Sequence, residues 1–432
     1  GYDVAEDRPI ATANNDYYLT TTHYDTMGRG IFLVDAASGL PLNGTDFSTG
    51  SQFAWPATGT PTGVMAQMKY CFAADPTVIS DSKGFFLAAY LSDLYGQVWK
   101  LSREALPPEG DGKFHLNLIF KMNPMTNQKS DYELRNAFKT WTSGASDPRG
   151  TITYMTFPIV SPRKSFFSPD VSYAGNCFTD VPVLYMGTGD REHPTYVGSS
   201  SPTDKTEKNG LFSFYDAHAY YESIGETYDD VNDYFTEKDL LNVTCGGMEP
   251  DVILFSNAVE NSQTKANMKT FLRENMKGWY LLFSQLSGCY AADNLLDVVH
   301  NGEKSISPVT LFAKVVYAPT FQPLAPSADP CAYNNVARVF AVDYCTGNAV
   351  YNFFTANDTD DDSDGTISAE EKKYTRLDRY LAIGDHIPSG VSVVIRHGKA
   401  AGFISVGGKI YPLPEIKMPG AMIPVYWREI YK

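Results

Sequence analysis

The sequence lacks the features that mark nucleic-acid-binding and membrane-spanning proteins. It has no Lys/Arg-rich run, and its 35 Lys and Arg residues stand against 50 Asp and Glu residues, for a net charge of −15. No apolar run approaches the roughly 18 residues that cross a bilayer as a helix. An acidic chain of this kind is a poor electrostatic partner for nucleic acid or for an anionic membrane. We therefore expect no nucleic-acid partner and no membrane span in this chain.

Short catalytic motifs are also missing. The sequence contains no HExxH pair, no G-x-S-x-G elbow and no phosphate-binding loop. Of the seven histidines, His386 and His397 are the closest pair, and their spacing is too long for a short metal-ligand motif. His218 stands alone between two alanines and is expected to be structural. The chain is predicted not to be an enzyme.

Cysteine is scarce and never occurs as CxxC, which argues against a zinc ribbon or a thioredoxin-type site. The six cysteines are Cys71, Cys177, Cys245, Cys289, Cys331 and Cys345. The composition is typical of an exported protein, with many Tyr, Thr, Ser and Gly and few Lys. The chain begins at Gly1 rather than Met, so we expect a processed protein or a fragment. At least one disulfide is expected, preferably Cys331–Cys345, because these two residues flank one predicted strand. Six buried thiols are the alternative.

The sequence is rich in short β-branched or aromatic runs separated by Gly, Pro, Asn and Asp, which indicate strands and turns. Two runs share one form: Gly30–Asp35 leads to a turn at Gly39, and Arg338–Asp343 leads to a turn at Gly347. Such a loose repeat favours an all-β propeller, in which neighbouring sheets bury each other's faces. We predict a single domain over residues 1–432 with about seven blades, and eight also fit the length. Two β-sandwiches are the alternative.

Helical patterns are few, and the predicted loops are elaborate. Asp131–Thr140 is one helix candidate, because Ser130 and Glu133 have the spacing of a capping box. Gln263–Asn275 is another. Tyr196–Lys208 and the acidic stretch Tyr228–Lys238 are expected to be loop insertions.

A series of strand and turn motifs runs in order along nearly the whole chain. Its members include Ala89–Lys100, Val183–Arg191, Gly278–Phe283, Gly302–Lys304, Ala318–Pro323, Arg338–Gly347 and Tyr426–Glu429. In this order the motifs resemble the C-terminal propeller of the PilC/PilY family of type IV pilus proteins. The amino-terminal half that many such proteins carry, often with a von Willebrand A-like domain, is not in this chain.

The resemblance implies a modified propeller of quinoprotein-like ancestry. It also implies an extracellular protein at the pilus tip or outer surface of a Gram-negative bacterium. The implied partners are minor pilins, together with a host or surface receptor. The implied roles are pilus assembly, a balance of extension and retraction, and adhesion.

The family often has a calcium loop before one propeller strand, and the matching stretch here is Ile79–Leu87. Its ligand positions hold Ile79, Asp81, Lys83 and Leu87. A hard dication needs six to eight oxygen ligands, and here it would meet an ammonium group. We predict that this stretch has lost its metal and keeps only a turn at Gly84.

A second acidic stretch satisfies every position of a calcium loop. Counting from Asp360, it reads D-x-D-x-D-G-x-I-x-x-x-E. Gly365 falls where the chain must turn sharply, and Ile367 falls at the apolar anchor position. The predicted ligands are Asp360, Asp362, Asp364, the Thr366 carbonyl, Ser368 and Glu371. An unpaired EF-hand-like loop that binds calcium is therefore predicted at residues 358–372, inserted in a propeller connection. A solvated acidic loop is the alternative.

Two other functions remain open. One is a quinone-dependent dehydrogenase-like propeller enzyme, although no adjacent Cys-Cys pair occurs. The other is a calcium-dependent extracellular carbohydrate-binding protein, with Tyr220 and Tyr221 as stacking residues. We expect these two tyrosines to be partly buried packing residues instead.

Overall fold

The computed structural model describes residues 28–55, 60–108, 110–122, 133–136, 155–158, 163–172, 179–192, 194, 209–229, 233–244, 277–283, 302–324, 335–355, 358, 367–368, 376–396 and 399–414. The regular secondary structure of these residues is dominated by β-strands, with little helix, which confirms the all-β prediction. No helix in this part of the chain is long and apolar enough to cross a membrane.

The strands are short and follow one another closely along the chain. They are β1 Gly30–Ile31, β2 Phe53–Ala54, β3 Thr77–Ser80, β4 Phe86–Ser92, β5 Gln97–Arg103, β6 Phe114–Lys121, β7 Glu133–Asn136, β8 Met155–Pro158, β9 Asp170–Ser172, β10 Val183–Gly187, β11 Gly210–Tyr215, β12 Phe235–Thr236, β13 Leu241–Asn242, β14 Gly278–Leu282, β15 Thr310–Phe312, β16 Val315–Gln322, β17 Val336–Asp343, β18 Tyr380–Gly384, β19 Ser392–Arg396, β20 Lys399–Val406 and β21 Lys409–Pro412. The described residues also include an α-helix, α1, Ala217–Ser223, and 3-10 turns at Gly44–Asp46, Gly63–Gln67, Glu237–Asp239 and Arg376–Arg379.

Four larger sheets are built mainly from strands that are neighbours in sequence. The first sheet has the order β12-β6-β5-β4-β3, and the second has the order β13-β14-β11-β10-β9. The third sheet is β15-β16-β17-β18 and the fourth is β19-β20-β21. Pairing within each sheet is antiparallel, except that β12 and β13 add as short parallel strands at two edges. Smaller two-stranded sheets are formed by β1 with β2 and by β7 with β8.

The cores lie between successive sheets, and the third sheet shows why. Along β16, Val316 and Ala318 belong to the cluster shared with the first and second sheets. The residues that alternate with them, Val315 and Tyr317, belong to the cluster shared with the fourth sheet. Successive strand residues point to opposite faces, so a strand buried on both faces reads as a continuous apolar run.

The first sheet is also covered on both faces. Its Phe120 ring stacks on Phe214 of the second sheet, with ring centroids 4.0 Å apart. On its other face, Trp99 packs in a cluster with Phe47 and Phe53, which come from the β1–β2 region. Sheets packed side by side in this way bury apolar surface from both faces of each central strand.

Backbone hydrogen bonds also join the ends of successive sheets. They run from Ser165 N–H to Leu94 O at 2.9 Å, from Gly189 N–H to Lys164 O at 2.8 Å and from Ser305 N–H to Thr188 O at 2.9 Å. Because these bonds link segments far apart in sequence, they fix the lateral order of the first three sheets.

The turns predicted from Asp–Gly spacing are present. Asp343 Oδ1 accepts hydrogen bonds from the N–H groups of Cys345 and Thr346, at 2.9 and 3.0 Å. Gly347 ends this turn with φ +70°, a conformation that residues with a Cβ rarely adopt. Asp35 and Gly39 form a turn of the same form. The loose repeat in the sequence therefore corresponds to real turns.

One helix prediction is wrong, and one loop prediction needs revision. Within Asp131–Thr140, residues Glu133–Asn136 form β7, which pairs antiparallel with β8. A capping box is a local preference, and here pairing with a strand some twenty positions away overrides it. The predicted insertion Tyr228–Lys238 includes β12, so part of it belongs to the edge of the first sheet. Gln263–Asn275 and Tyr196–Lys208 lie outside the described residues. The closed ring and the blade number stay predictions.

Candidate functional site

The predicted calcium loop is part of the connection between β17 and β18 of the third sheet. Five of its predicted ligands, Asp360, Asp362, Asp364, Thr366 and Glu371, lie outside the described residues. Ser368 is described, together with the preceding Ile367, and both are exposed. The assignment of this ligand set to calcium therefore stays a prediction.

The base of this connection is well defined. The Phe354 N–H donates to Asp378 Oδ1 at 2.6 Å, across 24 positions of sequence. Asp378 is fully buried. On the entering side, Asn352 Nδ2 donates to Asp358 Oδ2 at 2.7 Å. The hydrogen bond from Phe354 to Asp378 thus joins the two ends of the connection through protein atoms alone.

The exit from the connection is fixed to the second sheet. Arg379 Nη1 donates to the carbonyl of Val243 at 2.6 Å and is 3.2 Å from the carbonyl of Thr244. Val243 directly follows β13 and donates its N–H to Tyr280 O of β14 at 2.8 Å. The segment that leads from the loop into β18 of the third sheet is therefore also hydrogen-bonded to the second sheet.

The degenerate stretch Ile79–Leu87 forms the β3–β4 hairpin. Asp81 Oδ1 accepts from the N–H groups of Lys83 and Phe85, both at 2.8 Å. Gly84 has φ +85°, so the turn predicted there is confirmed. The one remaining acid thus stabilises the backbone of the turn. That no metal binds here stays a prediction.

Cys345 is disulfide-bonded, which confirms that the chain contains at least one disulfide. Its predicted partner, Cys331, lies outside the described residues, and so do Cys177, Cys245 and Cys289. Cys71 is a buried thiol.

A buried polar cluster between the first and second sheets was not anticipated from the sequence. Lys100 of β5 places Nζ 2.9 Å from Asp216 Oδ2, and Tyr90 of β4 donates its hydroxyl to the same oxygen at 2.8 Å. Asp216 is fully buried and caps α1 by accepting from Ala219 N–H at 3.1 Å. Lys100 Nζ also lies 3.3 Å from Nδ1 of His218. His218 is therefore part of this buried cluster.

The electrostatics of this cluster follow from its burial. Burial alone would raise the pKa of Asp216, but Lys100 and the hydrogen bonds from Ala219 and Tyr90 bring it below its ordinary value. Burial and the nearby Lys100 ammonium lower the pKa of His218 to about 4. His218 is therefore neutral at pH 7, and the ion pair of Lys100 with Asp216 is charged.

One sequence signal could have located this cluster. Lys100 interrupts the apolar run of β5, and Asp216 directly follows the buried strand β11. A lysine within a buried strand needs a charged or hydrogen-bonding partner. The sequence contains both residues but does not show that they meet.

Tyr220 and Tyr221 are partly buried, as expected, and pack against the large core. Tyr220 contacts Phe235 with ring centroids 5.6 Å apart, and Tyr221 contacts Tyr228 at 5.8 Å. This arrangement favours a packing role over sugar stacking. Among the described residues, no group of three or more His, Cys, Asp or Glu side chains is placed to hold a metal ion.

Comparison with known proteins finds similarity in structure. No protein-family model matches the sequence, and no curated protein matches it. One solved structure that is similar is the crystal structure of the Pseudomonas aeruginosa PilY1 C-terminal domain, with 13% sequence identity and a TM-score of 0.45. The similarity covers 90% of this chain and 66% of that one, so this chain spans just under two thirds of its neighbour's length. A likeness of this size is one of fold only.

Proposed function

We propose that this chain is the calcium-binding propeller domain of a type IV pilus-associated surface protein. The observation that carries the proposal is the ordered series of PilC/PilY-like motifs in the sequence. Apart from Gly302–Lys304, the motifs within the described residues fall on central strands: β4 and β5, β10, β14, β16 and β17. A resemblance spread over the interior strands of three sheets supports a shared architecture more strongly than one confined to a single loop.

In this proposal the four larger sheets are blades of a closed ring of about seven. Alternate residues of β16 and β17 pack on different neighbours, as blades of a propeller do. The protein acts outside the cell, at the pilus tip, and its partners are minor pilins and a host or other surface receptor. Its roles are pilus assembly, balance of extension and retraction, and adhesion.

The proposed calcium site is formed by residues 360–371. Six carboxylates in twelve residues repel one another in a compact loop unless a dication offsets them. We expect one Ca²⁺ ion with oxygen ligands at about 2.3–2.6 Å and an affinity of about 10⁻⁵ to 10⁻³ M, as for extracellular modules. The metal-independent base at Phe354 and Asp378 supports a loop that orders on binding without changing the sheets.

The pilus role is tested by deleting the gene in the source bacterium. Loss of surface pili and of twitching, restored by the intact gene, is the expected result. Recovery of minor pilins with a tagged form of the protein should accompany it. Normal piliation and twitching in the deletion strain would refute the pilus role.

The two other candidate functions have direct tests. A quinone-dependent enzyme would show the absorbance of bound quinone and dye reduction after reconstitution. A carbohydrate-binding protein would give calcium-dependent signals on a glycan array. We expect neither result.

A further inference from the structure

The contact between Lys100 and His218 fixes the chemistry of the histidine ring. A lysine ammonium only donates hydrogen bonds, so Nδ1 of His218, 3.3 Å away, must accept. A neutral imidazole that accepts at Nδ1 carries its proton on Nε2. The nitrogen that would take up a second proton is therefore the one that Lys100 already occupies.

A second side chain lies close to the same nitrogen. Glu222, one helical turn along α1, places Oε2 3.4 Å from Nδ1 of His218. While His218 is neutral, neither of these two atoms carries a proton, so they form no hydrogen bond. Once Nδ1 is protonated, the same contact becomes a charge-assisted hydrogen bond. The Glu222 side chain is 58% exposed, whereas that of His218 is 12% exposed.

We propose that His218 is an acid-sensitive switch that fastens α1 to the first sheet. At neutral pH its Nδ1 accepts a hydrogen bond from Lys100. On protonation it donates to Glu222 instead, while Lys100 stays with Asp216. Since α1 is the element that carries His218, the acid form loosens α1 from β5 and leaves the ion pair at the start of the helix intact.

The charges around the ring set the direction of the switch. The titratable groups that face it from the packed elements are Lys100 of β5, Tyr90 of β4, His115 of β6, Asp216 at the start of α1, Glu222 of α1, Glu104 after β5 and Tyr228 after α1. Lys100 and a protonated His115 oppose a positive charge on His218, and Asp216 favours it. Burial raises the pKa of Glu222, Lys100 opposes this shift, and Glu104 and Asp216 add to it.

The stability effect has a definite sign. The folded pKa of about 4 lies below the ordinary value of 6.5, so the unfolded chain binds the proton more tightly. Stability is complete above pH 6.5 and is lost as pH falls towards 4. Because each pKa unit is a factor of ten, the ratio of unfolded to folded protein rises up to about 300-fold from this residue.

Histidine-selective ¹⁵N NMR on the whole chain tests the switch. The ring of His218, assigned by its loss in His218→Gln, should show the Nε2–H tautomer at pH 7 and titrate near pH 4. Glu222→Gln removes the negative charge of the carboxylate that accepts from the protonated ring, so the His218 midpoint should move to lower pH. A midpoint near 6.5, an Nδ1–H tautomer or a midpoint unmoved by Glu222→Gln would overturn the proposal.

Hydrogen exchange gives an independent measurement. Amides of α1 in the wild-type protein should lose protection on acidification from pH 7 to pH 4.5, beyond the change in intrinsic exchange rate. His218→Gln should keep that protection, because its amide oxygen can accept from Lys100 without titrating. The matched control is His386→Gln, whose exposed ring lies 2.6 Å from Asp385 Oδ1 and away from α1, and this variant should behave as wild type. Equal loss of protection in wild type and His218→Gln would contradict the proposal.

Discussion

Two seams between neighbouring sheets differ in what they bury. The first seam, between the first and second sheets, contains the ion pair of Lys100 with Asp216 beside His218. The second seam, between the third and fourth sheets, is built from apolar side chains and includes Tyr317, whose hydroxyl is 2.9 Å from that of Tyr351. Both seams bury side chains between the faces of neighbouring sheets. Only the second seam could be predicted from the pattern of apolar residues in the sequence.

The difference gives the two seams opposite sensitivities to pH. His218 has a lowered pKa, so the first seam weakens as pH falls below 6.5. Burial raises the pKa of Tyr317, and its hydrogen bond with Tyr351 adds to the shift. The unfolded chain therefore loses the tyrosine proton first, and the second seam weakens as pH rises above about 10. Each seam can be broken separately.

The largest effect is expected from Lys100→Met. This change leaves Asp216 buried without its cation, and breaking a buried pair in this way costs about 3–5 kcal/mol. Urea denaturation at pH 7 measures the loss. The matched control is Lys83→Met on the exposed β3–β4 turn, which should change stability by less than about 0.5 kcal/mol. Equal stability of the two variants would show that the ion pair of Lys100 with Asp216 does not stabilise the fold.

A cavity in the second seam should lower the free energy of unfolding by nearly as much. This loss should not depend on pH in the acid range. Ile404 is 1% exposed, so Ile404→Ala should lower the free energy of unfolding by about 2–5 kcal/mol. Val394→Ala on the same sheet is the control, since Val394 is 52% exposed. The Ile404→Ala loss should be the same at pH 7 and pH 5. A loss that grows in acid would mean that the two seams do not respond separately.

The tyrosine pair should give a smaller effect. Tyr351→Phe removes one hydroxyl and should destabilise the protein by about 1 kcal/mol. Tyr411→Phe is a suitable control, because Tyr411 packs against the same core. The measurement is urea denaturation of both variants at pH 8. If Tyr411→Phe lowers the free energy of unfolding as much as Tyr351→Phe does, the assigned hydrogen bond between Tyr317 and Tyr351 is wrong.

The smallest effect on the fold is expected from the calcium loop. Asp362→Ala combined with Glu371→Ala should abolish calcium uptake in calorimetry. In EDTA it should change the unfolding free energy by less than about 0.5 kcal/mol, because the described sheets bury their faces against one another. Calcium should stabilise the wild-type protein by mass action and leave the double variant unaffected. No uptake by wild type at millimolar calcium would exclude the site without excluding the pilus role.

Much of the local structure could be predicted from sequence. The turns at Gly39 and Gly347 followed from spacing, because an Asp side chain and a residue free to adopt positive φ are enough to close them. The turn at Gly84 followed from the family resemblance. Asp131–Thr140 failed for the opposite reason, since pairing of β7 with β8 is not a local property. Helix α1 was missed because its seven residues are too few to show a period.

The sequence by itself determined the strands, the turns and the register of acids in residues 360–371, all of which depend on residues within about a dozen positions of each other. Only the tertiary structure decided which buried charges meet. Tyr90 and Asp216 are 126 positions apart, and they bond because the first and second sheets pack side by side. The order and facing of sheets depend on the sum of many weak apolar contacts, which no short stretch of sequence records.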